Sequence, residues 1–467
     1  MYYYLNENFI LRGWKGLTCV LIRRPDNARK MLSEDEFSVL MLCDGVTPFD
    51  KDELWDRESA ILGGLMSKGF VSESTERHPL KEDQVYRLYE NRFVESIFWS
   101  VTGRCNYKCR HCYMDAPCGA MGEISTEEAF AIIDEAADCG VLKMDLTGGE
   151  PFVRRDFFEL VDRINSNGIS IETIYTNGRM LNGSVLDEFE KRGMKPHFSI
   201  SFDGKDWHDW LRGVKGAEGY TLDALKLCKE RGFTTDIEYT VHKGNIGAIR
   251  ETVKLLSGYD VTCVRLGMMQ NSPLWLKNAE GNEITTREYN DACLSYIPEY
   301  FEDGKPVNLY IAGLVSLHKD REEYEVLYER PDSSENLECH LCGEVRYSSY
   351  ITPEGRLLPC MPMTASERQS EFPLIKDIGL KAALSDSEYM RYVDARVKDY
   401  LAKNAECAAC RFKLRCGGGC RAVALINSND FWGKDTDLCL FWHEGYADKL
   451  HEIIDRENEK FKACARD

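Results

Sequence analysis

The chain has 467 residues, 43% of them hydrophobic, and a formal net charge of −19 at pH 7. That length allows two to four domains, and the acidic balance argues against a general nucleic-acid binder, which needs a basic footprint. No run of roughly 18 apolar residues and no basic-plus-apolar leader occurs, so neither a membrane span nor a signal peptide is expected. With 19 cysteines in a chain expected in the cytoplasm, metal and redox work is a better reading than a disulfide framework.

From the N-terminus, Tyr2-Tyr3-Tyr4-Leu5, Phe9-Ile10-Leu11 and Cys19-Val20-Leu21-Ile22 read as short strands. Ser33 and Glu36 form a capping box ahead of a helix whose apolar residues Phe37, Leu40 and Met41 recur on one face. A second helix carries Ile61, Leu62, Leu65 and Met66 and stops at Gly69. Strands followed by helices predict a compact, winged-helix-like unit over residues 1–80, with the polar stretch 72–77 as the linker out. Cys19, Cys43, Cys139, Cys228, Cys263 and Cys293 fall singly within predicted elements, where a free cysteine is a small hydrophobe.

The next signal is Cys105-Asn-Tyr-Lys-Cys109-Arg-His-Cys112-Tyr113, directly after the strand-like run 97–102. A short loop leaving a strand can turn three thiolates toward one point, which suits three corners of a cubane iron–sulfur cluster and leaves one iron open for a ligand. Structural zinc is the alternative, but it wants a fourth ligand, and His111 beside Cys112 is an awkward one. From 95 to 270, strand-like runs at 97–102, 141–146, 170–175, 197–202, 235–241 and 261–267 alternate with helical patterns. Gly140, Gly168, Gly193, Gly232 and Gly258 stand at the helix ends. Ser125 and Glu128 cap the first helix, with Ala129, Ile132, Ile133 and Ala136 as its buried stripe. Six β/α units predict an α/β fold: a parallel sheet wrapped by helices, too short to close as an eight-stranded barrel. Reacting groups in such folds gather at the C-terminal strand ends. Those ends carry Thr147-Gly148-Gly149-Glu150-Pro151, Tyr175-Thr176-Asn177-Gly178 and Ser199-Ile200-Ser201-Phe202-Asp203-Gly204.

The C-x3-C-x2-C loop followed by the Gly-Gly-Glu-Pro turn resembles the radical S-adenosylmethionine (SAM) superfamily. The resemblance implies a partial (β/α)6 barrel over 95–270 and a [4Fe–4S] cluster on Cys105, Cys109 and Cys112. The open iron would chelate SAM, whose reductive cleavage gives a 5′-deoxyadenosyl radical. It also implies SAM contacts at Thr147, Gly148, Gly149 and Glu150, at Asn177, at Ser201 for the ribose, and at Arg212 for the carboxylate. Asp203 ranks below these as a residue that holds its turn. The N-terminal unit is similar in order and size to the PqqD-like element ahead of many peptide-modifying relatives, where a leader peptide adds a strand to a sheet edge.

Residues 271–338 read as a polar, irregular connecting segment. A second dense signal follows: Cys339-x2-Cys342, Gly355-x4-Cys360, Cys407-x2-Cys410-x5-Cys416-x3-Cys420 and Cys439. Two zinc ribbons compete, but the order resembles the SPASM domain of radical SAM enzymes, placed here over 339–442 with a C-terminal helix over 443–467. That resemblance implies two auxiliary [4Fe–4S] clusters, an inner one on Cys339, Cys342, Cys360 and Cys420 and an outer one on Cys407, Cys410, Cys416 and Cys439. Some relatives leave the inner cluster one ligand short, at the position of Cys339, where a substrate thiolate can bind. Cys118 and Cys464 are left over, and Cys118, soon after the first loop, is the candidate catalytic thiol that returns a hydrogen atom. The anaerobic sulfatase maturases carry an aspartate where Met361 follows Cys360, which argues against that subgroup.

Together these resemblances imply an oxidoreductase-type radical SAM enzyme that matures a ribosomally made precursor peptide (a RiPP) by an intramolecular thioether or carbon–carbon crosslink. Its partners would be a leader-bearing peptide and an electron donor such as flavodoxin or ferredoxin, with no nucleic acid or membrane. Peptide epimerisation, and a non-catalytic iron–sulfur electron carrier or peptide-binding protein, are the alternatives.

Overall fold

The computed structural model describes residues 1–24, 26–114, 121–385 and 387–464. The N-terminal unit holds β1 (Tyr2–Leu5), β2 (Phe9–Trp14), β3 (Leu17–Arg23), β4 (Ala28–Met31), α1 (Glu34–Leu42), α2 (Asp56–Ser67), β5 (Val71–Ser74) and β6 (Arg87–Tyr89). Both arms of the expected capping box form: Ser33 Oγ accepts from the Glu36 amide at 3.1 Å, and the Glu36 carboxylate accepts from the Ser33 amide at 3.0 Å. Tyr3, Leu11, Leu21, Val39, Leu40, Leu62 and Leu65 bury a core of their own. The polar stretch after Val71 is not a linker. Residues 72–74 pair antiparallel with β1, because a two-stranded ladder needs only backbone groups and one buried face. The chain then returns as β6 to the sheet ordered β4-β3-β2-β6, so this unit runs past residue 80. A second apolar cluster, Trp14, Val20, Ile22, Tyr89 and Phe93 with Leu142, seals it against the next layer, and Trp14 Nε1 donates to the Cys139 carbonyl at 2.8 Å.

The central sheet begins with β7 (Ser96–Ser100), β8 (Lys143–Thr147), β9 (Ser170–Thr176), β10 (His197–Ser201), β11 (Thr235–Val241) and β12 (Cys263–Met268), the six expected strands. All pair in parallel and in chain order. The outer layer consists of α3 (Thr126–Asp138), α4 (Phe157–Ser166), α5 (Gly183–Lys191), α6 (His208–Arg212), α7 (Ala217–Arg231) and α8 (Ile249–Ser257). Each full-length helix buries one stripe, as with Phe157, Leu160, Val161 and Ile164 of α4. Strand residues alternate accordingly. Met144 and Leu146 point into this helical layer, while Lys143, Asp145 and Thr147 face the opposite side of the sheet.

The sheet is longer than six strands. Segment 271–338, read as irregular, contains α9 (Pro273–Asn278), α10 (Thr286–Glu302), β13 (Asn308–Ile311), β14 (Val315–Leu317) and β15 (Tyr324–Val326). β13 adds a seventh parallel strand beside β12. β16 (Ser348–Ile351), from the cysteine-rich region, pairs in parallel with β7 on the other side and carries β17 (Leu357–Leu358). Eight parallel strands result, but β15 and β17 remain the two edges of an open sheet. The polar composition of 271–338 hid a helix with one buried side: Tyr289, Cys293, Ile297 and Tyr300 of α10 are all buried, and Tyr289 Oη donates to the carbonyls of Leu266 and Ala312. Beyond β17 the chain is a series of short helices and turns, closed by the long helix Tyr446–Cys464. Of the six single cysteines, Cys43, Cys139, Cys228 and Cys293 are buried, and Cys19 and Cys263 are partly so. Among the described residues no helix is long and apolar enough to cross a membrane.

Candidate active site

The C-terminal ends of β7 to β12 open onto a cavity of about 550 Å³. It is lined by the loop with Cys105, Cys109 and Cys112 and by Met361, Pro362 and Ala365, within five residues of Cys360. Thr147, Gly148, Gly149, Asn177, Ser201 and Arg212 all line it, so six of the seven expected SAM contacts are brought together with the three thiols. The seventh, Glu150, is fully buried. Cys118 lies outside the described residues.

The thiol loop is fixed along both flanks. At its base the Gly149 amide donates to Thr102 O at 2.8 Å and the Glu150 amide to Arg104 O at 2.9 Å. The Gly-Gly pair is needed for this approach. A Cβ on Gly149 would lie 2.3 Å from Arg104 O, and one on Gly148 would lie 2.6 Å from Thr102 O. The close neighbour of these glycines is thus the backbone of the cysteine loop, which residue spacing alone does not reveal. Further on, the amides of Lys108 and Arg110 donate to the carbonyls of Arg212 and Leu211 at the end of α6. Gly213, with φ +64°, leaves the room that a side chain would take from Lys108 O.

Burial pushes the Cys105 thiol up to about 12, with Cys109 and Cys112 adding to the effect, and burial likewise pushes Cys109 up to about 11. Free of a cofactor, these two are neutral thiols, and a metal centre would displace their protons on binding. Two polar atoms among them, His111 Nδ1 and Tyr107 Oη, are buried with no hydrogen-bond partner. Burial drives the His111 imidazole down to about 3, so it stands neutral and offers a lone pair or a single N–H toward the cavity. Among the described residues no three His, Cys, Asp or Glu side chains converge closely enough to hold a single metal ion. A cubane carries an iron at each ligated corner and takes its thiolates spread wider apart. The three thiols and the orphaned polar atoms therefore fit an iron–sulfur cluster with a bound ligand.

Glu150 faces the next strand end rather than open space. Its carboxylate accepts from Thr176 Oγ1 and from the Asn177 amide, both at 2.8 Å. Burial holds its pKa up at about 7 against these two bonds. Asn177 in turn donates to Asn106 Oδ1 at 2.7 Å, tying the β9 end to the thiol loop. Arg212 is already paired: Nε and Nη2 reach the two Asp203 oxygens at 2.6 and 2.9 Å, and the guanidinium also bonds the Cys109 thiol. Asp203 accepts further from His208 Nδ1 and from the Thr240 amide. Burial alone would raise its pKa, but Arg212 and His208 together hold it far below the ordinary carboxylate range. Asp203 thus orients Arg212 as well as its own turn.

Residues given no role in the sequence reading complete the wall. Phe98, Tyr175 and Glu238 line the cavity on the sheet side, with the Phe98 and Tyr175 rings edge-on at 4.9 Å. Burial, helped by Asp236, raises Glu238 to about 7. Their only signal in the sequence is their place on the cavity-facing side of β7, β9 and β11. Between the thiol loop and Cys360 stands Tyr350, whose hydroxyl lies 2.7 Å from Ser100 Oγ and bonds Tyr113.

The second cysteine set divides in two. Burial, together with Cys420 and Cys342, drives the Cys360 thiol well up, which marks these three as one group. Cys416 and Cys439 share influences with Cys407, and Cys439 with Cys410, which marks the other four. Tyr400 Oη donates to Cys407 Sγ at 3.0 Å. The intervening Gly417, Gly418 and Gly419 all have left-handed φ, from +61° to +94°, which lets Cys416 and Cys420 face different groups. Cys339, expected with the inner set, is exposed, and its thiol turns toward Glu335 O and Asn336 Oδ1. The physical reason lies in its neighbours. The antiparallel bridge between His340 and Arg396 holds the backbone at the surface after Cys339.

Residues 99–256 match the model of the Radical SAM superfamily. The chain thus carries a radical SAM domain, on which the thiol loop and the strand-end cavity sit, and it is an enzyme of that kind, with SAM and a [4Fe–4S] cluster as the cofactors the domain implies. Among curated proteins it is 27% identical over 347 residues to the PqqA peptide cyclase of Granulibacter bethesdensis, covering 73% of this chain and 86% of that protein. It is 25% identical over 358 residues to the AdoMet-dependent heme synthase of Oleidesulfovibrio alaskensis, covering 74% and 87%. Among solved structures, that of Streptococcus suis SuiB bound to precursor peptide SuiA has a TM-score of 0.65 at 16% identity, covering 94% of this chain and 99% of that one. At that identity the likeness is one of fold.

Proposed function

We propose that the chain is a radical SAM peptide maturase that forms an intramolecular thioether or carbon–carbon crosslink in a ribosomally made precursor peptide. The observation that carries this reading is the shared cavity, lined both by the three-thiol loop and by Met361, Pro362 and Ala365 just after Cys360. A substrate in it would have a site of radical initiation and a site of electron removal within the same cavity, which is what a net two-electron oxidation needs. Cys342, Cys360 and Cys420 would hold an inner auxiliary cluster, and Cys407, Cys410, Cys416 and Cys439 an outer one, in a SPASM-like region. The cofactors bound at the first loop would supply a 5′-deoxyadenosyl radical for hydrogen abstraction.

The chain's own groups supply position. Arg212, held by Asp203, presents a fixed guanidinium to a carboxylate. Glu150, poised near neutrality and buried beneath Gly148 and Gly149, gains from an ammonium group placed above it. Ser201 and Asn177 offer hydroxyl and amide contacts to a nucleoside, and Phe98, Tyr175 and Met361 keep water from the reacting centre. The N-terminal unit, with its open sheet edge, supports a PqqD-like role in leader binding, and the relationship to a PqqA peptide cyclase points the same way. An electron donor such as flavodoxin or ferredoxin, and a cytoplasmic setting, complete the proposal.

The test is anaerobic reconstitution followed by incubation with SAM, a reductant and the precursor peptide encoded beside the gene. The expected result is 5′-deoxyadenosine together with a peptide lighter by two hydrogens. A peptide of unchanged mass with an inverted centre would assign epimerisation. Absence of SAM cleavage at full iron loading would reduce the chain to an electron carrier or peptide-binding protein. A second reading, a tetrapyrrole substrate, draws on the AdoMet-dependent heme synthase relative. A porphyrin absorption band shifted by the reconstituted protein would favour it over the peptide.

A further inference from the structure

Glu150 is fixed by two hydrogen bonds, but the carboxylate of Glu238, on the β11 wall of the cavity, accepts none from the described residues. Its side chain is 42% exposed. In the sheet register it lies beside Ser201 of β10, a proposed nucleoside contact, and beside Arg265 of β12. Two residues deeper on the same side of β11 is Asp236, which is buried. Arg265 Nε reaches Asp236 Oδ2 at 3.2 Å but Glu238 Oε1 only at 3.7 Å, and His197 Nε2 lies 3.4 Å from Asp236 Oδ1. Asp236 therefore takes the countercharge. Against its burial, His197, Ser199 and Arg265 hold its carboxyl below the ordinary range. Glu238 is driven the other way, by burial and by the Asp236 charge, and Arg265 and Arg212 offset this only in part. Two acids on one strand face are thus pushed apart, one ionised and one poised near neutrality.

The other strands bring no competing charge to Glu238. Tyr175 of β9 and Tyr310 of β13 are raised by burial and, in smaller part, by Glu238, so both stay neutral phenols. The Arg265 guanidinium lies over the Tyr310 ring at 5.0 Å, which keeps that cation in place. Asp145 of β8, raised by burial to about 6, acts on Tyr175 rather than on Glu238. Beside Glu238 the wall is open. Gly267 of β12 lines the cavity, and a Cβ there would meet nothing within 4 Å, so a substrate group has room next to the carboxylate.

We infer that Glu238 is a catalytic residue that takes up the proton the peptide loses on oxidation, with Asp236 and Arg265 as its positioning residues. The inference rests on the crosslinking reading above and supplies the group that completes its balance. A crosslink breaks two bonds to hydrogen in the peptide and forms one bond between the atoms left behind. One hydrogen leaves as an atom, to the 5′-deoxyadenosyl radical. The other leaves as a proton and an electron. The electron goes to an oxidised iron–sulfur centre, the class of oxidant proposed at Cys342, Cys360 and Cys420, and the proton goes to the ionised Glu238 carboxylate. A base titrating near the working pH is present in its ionised form before the step and holds the proton after it.

The test uses the reconstituted full chain with SAM, a reductant and the precursor peptide encoded beside the gene, and counts crosslinked peptide per 5′-deoxyadenosine. That ratio separates proton removal from radical formation, whatever the rate of SAM cleavage. E238Q is expected to lower it about a hundredfold, with partial recovery in E238D. In wild type the ratio should rise with pH through neutrality, because only ionised Glu238 accepts a proton. In D236N the rise should move to lower pH, because the like charge is gone and Arg265 is free to turn to Glu238. In the apo-protein, an infrared titration should show one fewer carboxyl titrating near neutrality in E238Q, with that of Glu150 retained. A wild-type ratio or an unchanged infrared titration in E238Q, or an unmoved midpoint in D236N, overturns the assignment and leaves the peptide reading intact. If E238Q loads no iron, E238D and D236N decide. Failure of the wild type to crosslink the peptide overturns the peptide reading, and this assignment with it.

Discussion

The two cysteine regions reach their geometry by different means. The first loop is tied by backbone hydrogen bonds to β8 on one flank and α6 on the other, both part of the main apolar core. Its shape is a property of the sheet, present before any cofactor arrives. The second region hangs its thiols on helices of four to eight residues and on three successive left-handed glycines. Elements this short do not hold themselves, so a metal centre there contributes directly to folding. A scaffold that stands alone can leave one coordination site open for a substrate. One that depends on its metal gains stability from each thiol it engages.

The largest expected effect breaks the first half of that contrast. Cys105→Ala should abolish SAM cleavage, by more than about a thousandfold or about 4 kcal/mol of barrier, while the thermal transition of the apo-protein moves little, because the loop is held by its flanks. A large drop in the melting temperature of apo Cys105→Ala would show that the thiols themselves hold the loop.

Next comes Arg212→Ala, which leaves Asp203 buried without its cation. We expect a loss of about 3–5 kcal/mol in urea unfolding at neutral pH. Asp203 is depressed in the folded state, so its contribution is present above its ordinary value of 3.8 and fades as pH falls below it. The gap between wild type and variant should therefore narrow in acid. A gap that stays constant down the acid range would remove Asp203 from the explanation.

The second region is sharpened by chelation and by a pair of variants. Stripping iron should expose 405–445 to protease before the β/α sheet is cut. Cys360→Ala should lose one cluster's worth of iron, whereas Cys339→Ala should keep the full complement, because Cys339 faces Glu335 and Asn336 instead of the inner three. Equal iron loss in both would return Cys339 to the ligand set. The smallest effect is Gly149→Ala, whose methyl must displace Arg104 O, a cost of about 1–3 kcal/mol. It should also slow SAM cleavage, because the carbonyl moved belongs to the base of the thiol loop.

Local rules carried much of this molecule. The six central strands, the Ser33 and Ser125 caps and the three-thiol loop at a strand end follow from periodicity, capping chemistry and spacing, each readable within a window of a few residues. Long-range pairing was hidden. Residues 72–74 are polar yet complete a ladder with β1, and 308–311 and 348–351 extend the parallel sheet on its two sides. A strand at a sheet margin needs only backbone partners and a short apolar stripe, so its composition scarcely differs from that of a loop.

What the amino-acid order determined by itself is which chemistry is available: thiols at cluster spacing, a Gly-Gly turn, an arginine and an aspartate nine residues apart. Only the folded chain decided how those groups are used. It paired Arg212 with Asp203, turned Glu150 to the β9 end and faced the Cys339 thiol toward Glu335 and Asn336. Each of these depends on residues distant in sequence brought within a few ångströms, where burial and Coulomb interaction outweigh local preference. Spacing along a chain carries no information about either.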